Sequence, residues 1–482
     1  MYYGDNSGVF HAIKGGTDNS VGGTEMWGFI PSEFFSQLNA LRLDIGPISS
    51  SVSKPYFFDG PVTTYTLDAN NDGELTTGSG DKAYIYLTAH RGGRVMYALD
   101  VTDPGSSTTS ANPKFLWKAT NSTAGFAELG QSWSQVTVAT ISANTNPVAI
   151  FAAGYDNVAE DKDPAGTDTM GRGIYVVDAY TGALLWEAGP SASGAANNLV
   201  VSGMTHSIPS SVAVYDSNQD GFADRLYFGD TGGNIWRADI GDSNPANWKV
   251  TELASLGGTG SSARKFLFQP DVVFNNDSSG TYDAVLIGSG DREHPFNTTV
   301  QNGFFMIKDT HAMSEPAGFT TLQLSNLFNA TDDSIQVGTA AQQQAAAVSL
   351  ASSSGWYILF GANTGEKDVG GDVAVEGSVV FNTYTPTTSS ACTPTLGTAT
   401  QYIVSYKDAS ATINLTGQTN MVIADRSQNM AGGGFVPTPV HISVSSSTGQ
   451  LLEAVVSGPN VFTFQGATNV RVRTYWKKGG GQ

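Results

Sequence analysis

An all-β chain folded as a β-propeller of about seven four-stranded blades is predicted by three observations. One short pattern recurs six times along the 482 residues, its copies are set off by turns in a chain holding 56 glycines, and helical periodicity is confined to one patch. The pattern is a glycine, an alternating strand ending in Asp or Lys, a turn, and then often a tryptophan.

The copies follow in order. Residues 8–14 run Gly-Val-Phe-His-Ala-Ile-Lys and lead to Trp27. Residues 93–100 lead to Trp117, residues 173–178 to Trp186, and residues 233–239 to Trp248; residues 303–308 stand alone, and residues 402–407 are a faded member. Radial repetition of such units hides strand edges, and counting residues 355–360 with the terminal strands brings the blades to about seven, with inserted loops between them. Strands are also expected at residues 441–445 and 470–476, one of which would close the ring against the first blade. A helix is predicted around residues 31–41, where Phe34, Leu38 and Leu41 keep a helical period. The domain is thus taken as residues 1–476, with a disordered tail at 477–482. The opening Met-Tyr-Tyr-Gly-Asp-Asn falls directly in a strand-like segment and is no signal peptide, so an excised part of a longer protein is expected, its N-terminal region absent here.

Composition narrows the function. Formal charge is −19, which disfavours nucleic acid or an anionic membrane as partner. The single cysteine, Cys392, excludes an internal disulfide.

Residues 216–224 carry the sharpest chemical signal. Asp216, Asn218, Asp220 and Asp224 place side-chain oxygens at positions 1, 3, 5 and 9, Gly221 sits at position 6 for the bend, and Phe222 at position 7 offers its carbonyl. Flanking strand-like runs and Tyr227 at position 12 exclude an EF-hand; a strand-borne Ca2+ clasp is expected, the alternative being an Asp/Asn/Gly turn that binds nothing. A second candidate is Asp68, Asn70, Asp72, Gly73 and Glu74, with Thr76 at position 9 and Asp81 further along as an extra ligand. Asn-Asp-Gly is equally an ordinary hairpin turn. A third acidic stretch, residues 156–168, lacks such order and reads as a solvated loop. Loops of this kind suit extracellular calcium.

Six strings in order then carry a resemblance: residues 3–12, 25–31, 97–104, 227–230, 232–239 and 288–295, the last reading Gly-Ser-Gly-Asp-Arg-Glu-His-Pro. Together they resemble the C-terminal propeller of the PilY/PilC family of type IV pilus adhesins, a quinoprotein-like β-propeller. The resemblance implies a pilus biogenesis factor and tip adhesin domain at the pilus tip or outer surface of a Gram-negative bacterium. Its partners would be minor pilins of the type IV pilus and a host or abiotic surface, and calcium would tune extension against retraction. It also implies calcium at Asp216, Asn218, Asp220, Phe222 and Asp224.

Two other classes share the fold. Propellers that hold pyrroloquinoline quinone carry the Tyr-Ala-Leu-Asp and Thr-Gly-Trp blade signature, but often stack the quinone on a disulfide of neighbouring cysteines; one cysteine cannot make it, so no quinone and no enzyme is expected. An integrin-like matrix adhesion module would differ in partner, and no Arg-Gly-Asp string occurs. No nucleophile elbow occurs and the six histidines lack zinc-ligand spacing. His11 reads as a packed histidine, His294 as part of an ion-paired loop locking one blade to the next, and Arg237 and Asp239 as polar contacts between blades.

Overall fold

The computed structural model describes residues 1–16, 22–43, 54–103, 113–278, 280–312, 318–387, 395–445, 451–458 and 460–464. Cys392, the strand expected at 470–476 and the tail at 477–482 lie outside these residues.

Seven sheets follow one another in chain order among the described residues. The first holds β1 (Tyr2–Gly4), β2 (Phe10–Ile13) and β3 (Glu25–Phe29), and the second β4 (Val62–Leu67), β5 (Lys82–Thr88), β6 (Val95–Asp100) and β7 (Lys114–Thr120). The third is β8 (Thr137–Ala139), β9 (Val148–Ala152), β10 (Ile174–Asp178) and β11 (Leu184–Gly189), edged by parallel β12 (Asn198–Val200). The fourth is β13 (Ala213–Tyr215), β14 (Arg225–Gly229), β15 (Asn234–Asp239) and β16 (Lys249–Ser255), edged by parallel β20 (Leu322–Gln323). The fifth is β17 (Asp271–Asp277), β18 (Gly280–Gly288), β19 (Gly303–Asp309) and β22 (Gly355–Leu359), edged by parallel β21 (Phe328–Asn329). The sixth is β23 (Lys367–Asp368), β24 (Val373–Val375), β25 (Ser378–Thr385), β26 (Thr398–Ser405) and β27 (Ser427–Asn429), and the seventh β28 (Val440–Ser445), β29 (Leu451–Ser457) and β30 (Asn460–Phe464).

The apolar clusters bridge successive sheets. Phe10 packs with Leu87 and Tyr97, Tyr86 with Phe151 and Tyr175, Trp186 with Phe228 and Trp236, Tyr227 with Phe305, Phe304 with Phe381, and Val380 with Val455. Sheets stacked in succession through such clusters, the second to the sixth covered on both faces by their neighbours, are blades of a propeller.

The repeated tryptophan is the fastener between blades. Trp117 Nε1 donates to the Ala179 carbonyl of the third sheet at 2.9 Å, Trp186 meets Trp248 of the fourth edge-on at 5.3 Å, and Trp356 Nε1 donates to the Tyr406 carbonyl of the sixth at 3.0 Å. The aspartate that precedes the fourth copy locks its turn. Asp230, fully buried, accepts from the backbone N–H of Gly232 and Asn234 and from Asn234 Nδ2 and Trp236 Nε1 at 2.8–3.0 Å. A carboxylate so encircled fixes strand register where a bare turn would slip.

Several expectations are corrected. The blades are not uniformly four-stranded, ranging from three strands to five because short parallel strands from the insertions dock on outer edges. Residues 355–360 do not found a further blade: β22 pairs with β19, so Trp356 is the displaced tryptophan of the copy that stood alone. Among the described residues, β28, β29 and β30 pair with one another and not with the first sheet. The helix near residue 35 is present as α1 (Phe35–Arg42), after a short α2 (Asn157–Glu160) comes an unforeseen α3 (Ala340–Ala351). That Ala/Gln run has high helix propensity and a Thr339/Gln342 capping box but buries only Ala346, so it lacks the apolar stripe that periodicity detects.

One buried acid gives stability a pH dependence. Glu187 on β11 is 4% exposed, and burial, aided by Glu128, pushes its pKa from 4.5 to about 7 against a hydrogen bond from Asn198. The folded state then binds more protons than the unfolded one between pH 4.5 and 7, so stability falls as pH rises through that window. Glu187→Gln is expected to stabilise by about 1–3 kcal/mol at pH 8 and by nothing at pH 4, measured by urea unfolding at both.

Candidate metal centre

Strands β13 and β14 pair with Tyr215 opposite Arg225, so residues 216–224 are their connection. Gln219 and Gly221 adopt φ of 61° and 93°, winding the loop tightly. The Asp216 carboxylate accepts from the N–H of Gly221 at 2.8 Å and of Asp220 at 3.2 Å. Asn218 Oδ1 also accepts from Asp220 N at 2.8 Å, and Asp220 Oδ1 accepts from Phe222 N at 2.8 Å. Asp224 closes the ring, accepting from Ser217 N at 3.0 Å and Ser217 Oγ at 2.8 Å. The loop is anchored to the third sheet, since Ala223 N donates to the Thr140 carbonyl at 2.8 Å and Thr140 Oγ1 to the Gly221 carbonyl at 2.9 Å.

The second candidate repeats this wiring atom for atom. It joins β4 to β5, where Leu67 opposes Lys82. Asn71 and Gly73 take φ of 57° and 86°. Asp68 accepts from Gly73 N at 2.8 Å and Asp72 N at 3.3 Å, Asn70 Oδ1 accepts from Asp72 N at 3.1 Å, and Asp72 Oδ1 accepts from Glu74 N at 2.8 Å. Glu74 therefore stands where Phe222 does, at the position that offers a carbonyl. The counterpart of Asp224 is Asp81, which accepts from Ala69 N at 2.8 Å as Asp224 does from Ser217 N. Hydrogen bonds from Ser79, Thr76 and Ala69 hold the Asp81 carboxyl below the usual carboxylate range. Sequence spacing gave Asp81 only as an extra ligand, because it lies five residues beyond position 9. A usable signal was there: Asp81 and Asp224 are each the acid directly before the outgoing strand.

The donor set suits a hard cation. Each loop gathers three carboxylates and an amide oxygen, and among the described residues none of Asp216, Asp220, Asp224, Asp68, Asp72, Glu74 and Asp81 lies within ion-pair distance of a lysine, arginine or histidine. An oxygen-only donor set of this kind would hold a hard cation such as calcium rather than a softer metal. The carboxylates are here turned toward backbone N–H groups, and no three acidic or histidine groups among the described residues close on a common point.

A separate set of charges gathers where loops of several sheets converge. Arg91, after β5, holds Asp161 through two bonds of 2.9 and 3.1 Å and also contacts Glu293. Lys265 Nζ lies 2.6 Å from both Glu160 and Asp291. His294 Nδ1 lies 2.8 Å from Asp291, and its Nε2 lies 3.2 Å from the Asp161 carbonyl, as an ion-paired locking loop requires. Residues 156–168 are a solvated loop only in part: residues 161–167 are exposed, whereas Asp156, which caps α2, is buried with Glu160 and Asp168. His11, in turn, is not simply packed. It lies 2.8 Å from Glu25 and 3.2 Å from Asp5, partners that raise its pKa. Arg237 joins blades as expected, its Nη1 reaching Asp309 of the fifth sheet at 2.6 Å.

Fold and loops define a β-propeller with acidic loops between blade strands. A family model described as the PilY1 beta-propeller domain matches residues 1–289. The chain belongs to that family. Among relatives, the type IV pilus biogenesis factor PilY1 of Pseudomonas aeruginosa is 26% identical over 431 residues, covering 80% of this chain and 33% of the relative. A second P. aeruginosa PilY1, from strain UCBPP-PA14, is 31% identical over 241 residues, or 50% of this chain and 17% of the relative. A PilY1 homolog of Xylella fastidiosa is 25% identical over 264 residues, or 53% of this chain and 15% of the relative. The chain thus spans a third or less of the length of these relatives. The crystal structure of the P. aeruginosa PilY1 C-terminal domain superposes with a TM-score of 0.63 at 20% identity, covering 96% of this chain and 92% of that one, a likeness of fold. No helix among the described residues is long and apolar enough to cross a membrane.

Proposed function

We propose that the chain is the propeller portion of a type IV pilus biogenesis factor and that calcium at its strand-borne loops sets how it engages the pilus. Asp216, Asn218, Asp220 and Asp224 with the Phe222 carbonyl form the main site; Asp68, Asn70, Asp72 and Asp81 with the Glu74 carbonyl form the second. The observation that carries this reading is the repeated wiring, in which two loops separated by more than one hundred residues hold the same left-handed fourth residue, the same glycine and the same closing acid. The same oxygen-bearing side chains recur at matching places in both loops, where a bound cation would offset their like charges.

Calcium then acts as a staple. Bound, it fixes the nine-residue connection against β13 and β14; released, mutual repulsion of the acids opens it and alters the rim that meets minor pilins or a surface. Location at the pilus or outer bacterial surface, where calcium is abundant, follows from the same reading. The relatives are named as pilus biogenesis factors, which favours a binding role over quinone chemistry.

The test is made in the parent protein in its own bacterium. Asp220→Ala, at unchanged surface abundance, is expected to abolish the calcium dependence of twitching motility. Motility that still responds to calcium like the unaltered strain would refute the switch.

A further inference from the structure

A cavity of about 290 Å3 lies where loops of four consecutive sheets meet, bounded by Asp163 from the third, Ala263 and Lys265 from the fourth, His294 from the fifth and Lys367 from the sixth. Lys367, on β23, is 1% exposed. Its Nζ donates to the Pro295 carbonyl at 2.8 Å and the Asn297 carbonyl at 3.0 Å, and no carboxylate among the described residues pairs with it. An ammonium has three N–H groups, and two carbonyls use two of them. The other acids on the cavity wall are already engaged: Asp291 by Lys265 and His294, and Asp163 by Asn297 Nδ2. A buried cation lacking a counter-ion is costly, and burial accordingly lowers the Lys367 pKa to about 8, which leaves it mostly charged at neutral pH. The remaining wall includes Pro164, Ala165, Ala263 and Val300, small and apolar. In a chain of net charge −19 a concavity with three lysines is not a by-product of composition.

We propose that this cavity binds a small organic carboxylate, its carboxyl group on the Lys367 ammonium and its carbon skeleton against Pro164, Ala165, Ala263 and Val300. The volume sits at the lower edge of small-molecule sites, which limits the ligand to a short acid. This site is independent of the calcium loops, and its failure would leave them untouched.

Calorimetric titration of the whole chain with benzoate, benzamide and inorganic phosphate tests it. Benzoate is expected to bind one to one, with benzamide and phosphate each weaker by about tenfold or more. Lys367→Met, checked for native circular dichroism, and Ala263→Leu, which narrows the cavity but keeps the lysine, are each expected to weaken benzoate by about tenfold or more. Benzamide binding as tightly as benzoate, phosphate matching it, unchanged affinity in folded Lys367→Met or in Ala263→Leu, or no binding at millimolar benzoate would each overturn the assignment.

Discussion

Replacing Arg237 with methionine is expected to cost about 3–5 kcal/mol of folding stability. Arg237 and Asp309 are fully buried, and their 2.6 Å contact joins β15 to β19 across the blade boundary. Around them Asp239 binds Arg237 Nε and Nη2, Arg225 Nη1 lies 2.8 Å from Asp283, and the Tyr227 hydroxyl lies 2.8 Å from both Asp283 and Asp309. Two guanidinium groups face three carboxylates here, and one hydroxyl proton cannot serve two acceptors. Burial raises the Asp283 pKa, against the hydrogen bond from Tyr227 and the Arg225 guanidinium. Removing the arginine leaves Asp309 and Asp239 buried with too little positive charge, and the methionine side chain offers no hydrogen bond in return. Removing Asp309 together with Arg237 is expected to recover a large part of the loss, because Asp309 is then no longer left buried without its cation. Equilibrium unfolding in urea on both variants reads this directly; additive losses would contradict an ionic origin.

Withdrawing calcium is expected to have the second largest effect. At a hundredfold excess over the dissociation constant, an ion bound only to the folded chain stabilises by about 2.7 kcal/mol per site. Scanning calorimetry with calcium and with chelator should show that difference as a drop in melting temperature. Asp224→Ala should remove the part owed to the main loop, and Asp81→Ala the part owed to the second. Equal melting in chelator and calcium would contradict both sites.

What was legible in the sequence, and what was not, follows the range of the interactions. The blade pattern was readable because its determinants are local: Asp230 bonds to residues within six positions of itself, and each repeat strand pairs with its neighbour in sequence. Residues 355–360 were misplaced because the strand they pair with ends at Asp309, on the far side of a long insertion. The main loop was readable since its ligands occupy nine consecutive positions, whereas Asp81 does the work of a ninth residue from the fourteenth. Of the converging charges around Lys265 only the ion-paired loop at His294 was readable; the rest were hidden, because Glu160, Lys265 and Lys367 come from three different sheets and meet only when the blades close up. The burial of Glu160 and Asp168 was missed for the same reason, their partners Lys265, Ser207 and Thr231 lying 39 or more residues along the chain.

The central claim is that a calcium ion sits within residues 216–224. A crystal grown in millimolar calcium and measured for anomalous scattering gives the most direct test. The expected result is a peak with oxygen ligands from Asp216, Asn218, Asp220, Asp224 and the Phe222 carbonyl at about 2.3–2.6 Å. Carboxylates still turned to the N–H groups of Asp220, Gly221 and Phe222 around a featureless centre would contradict it.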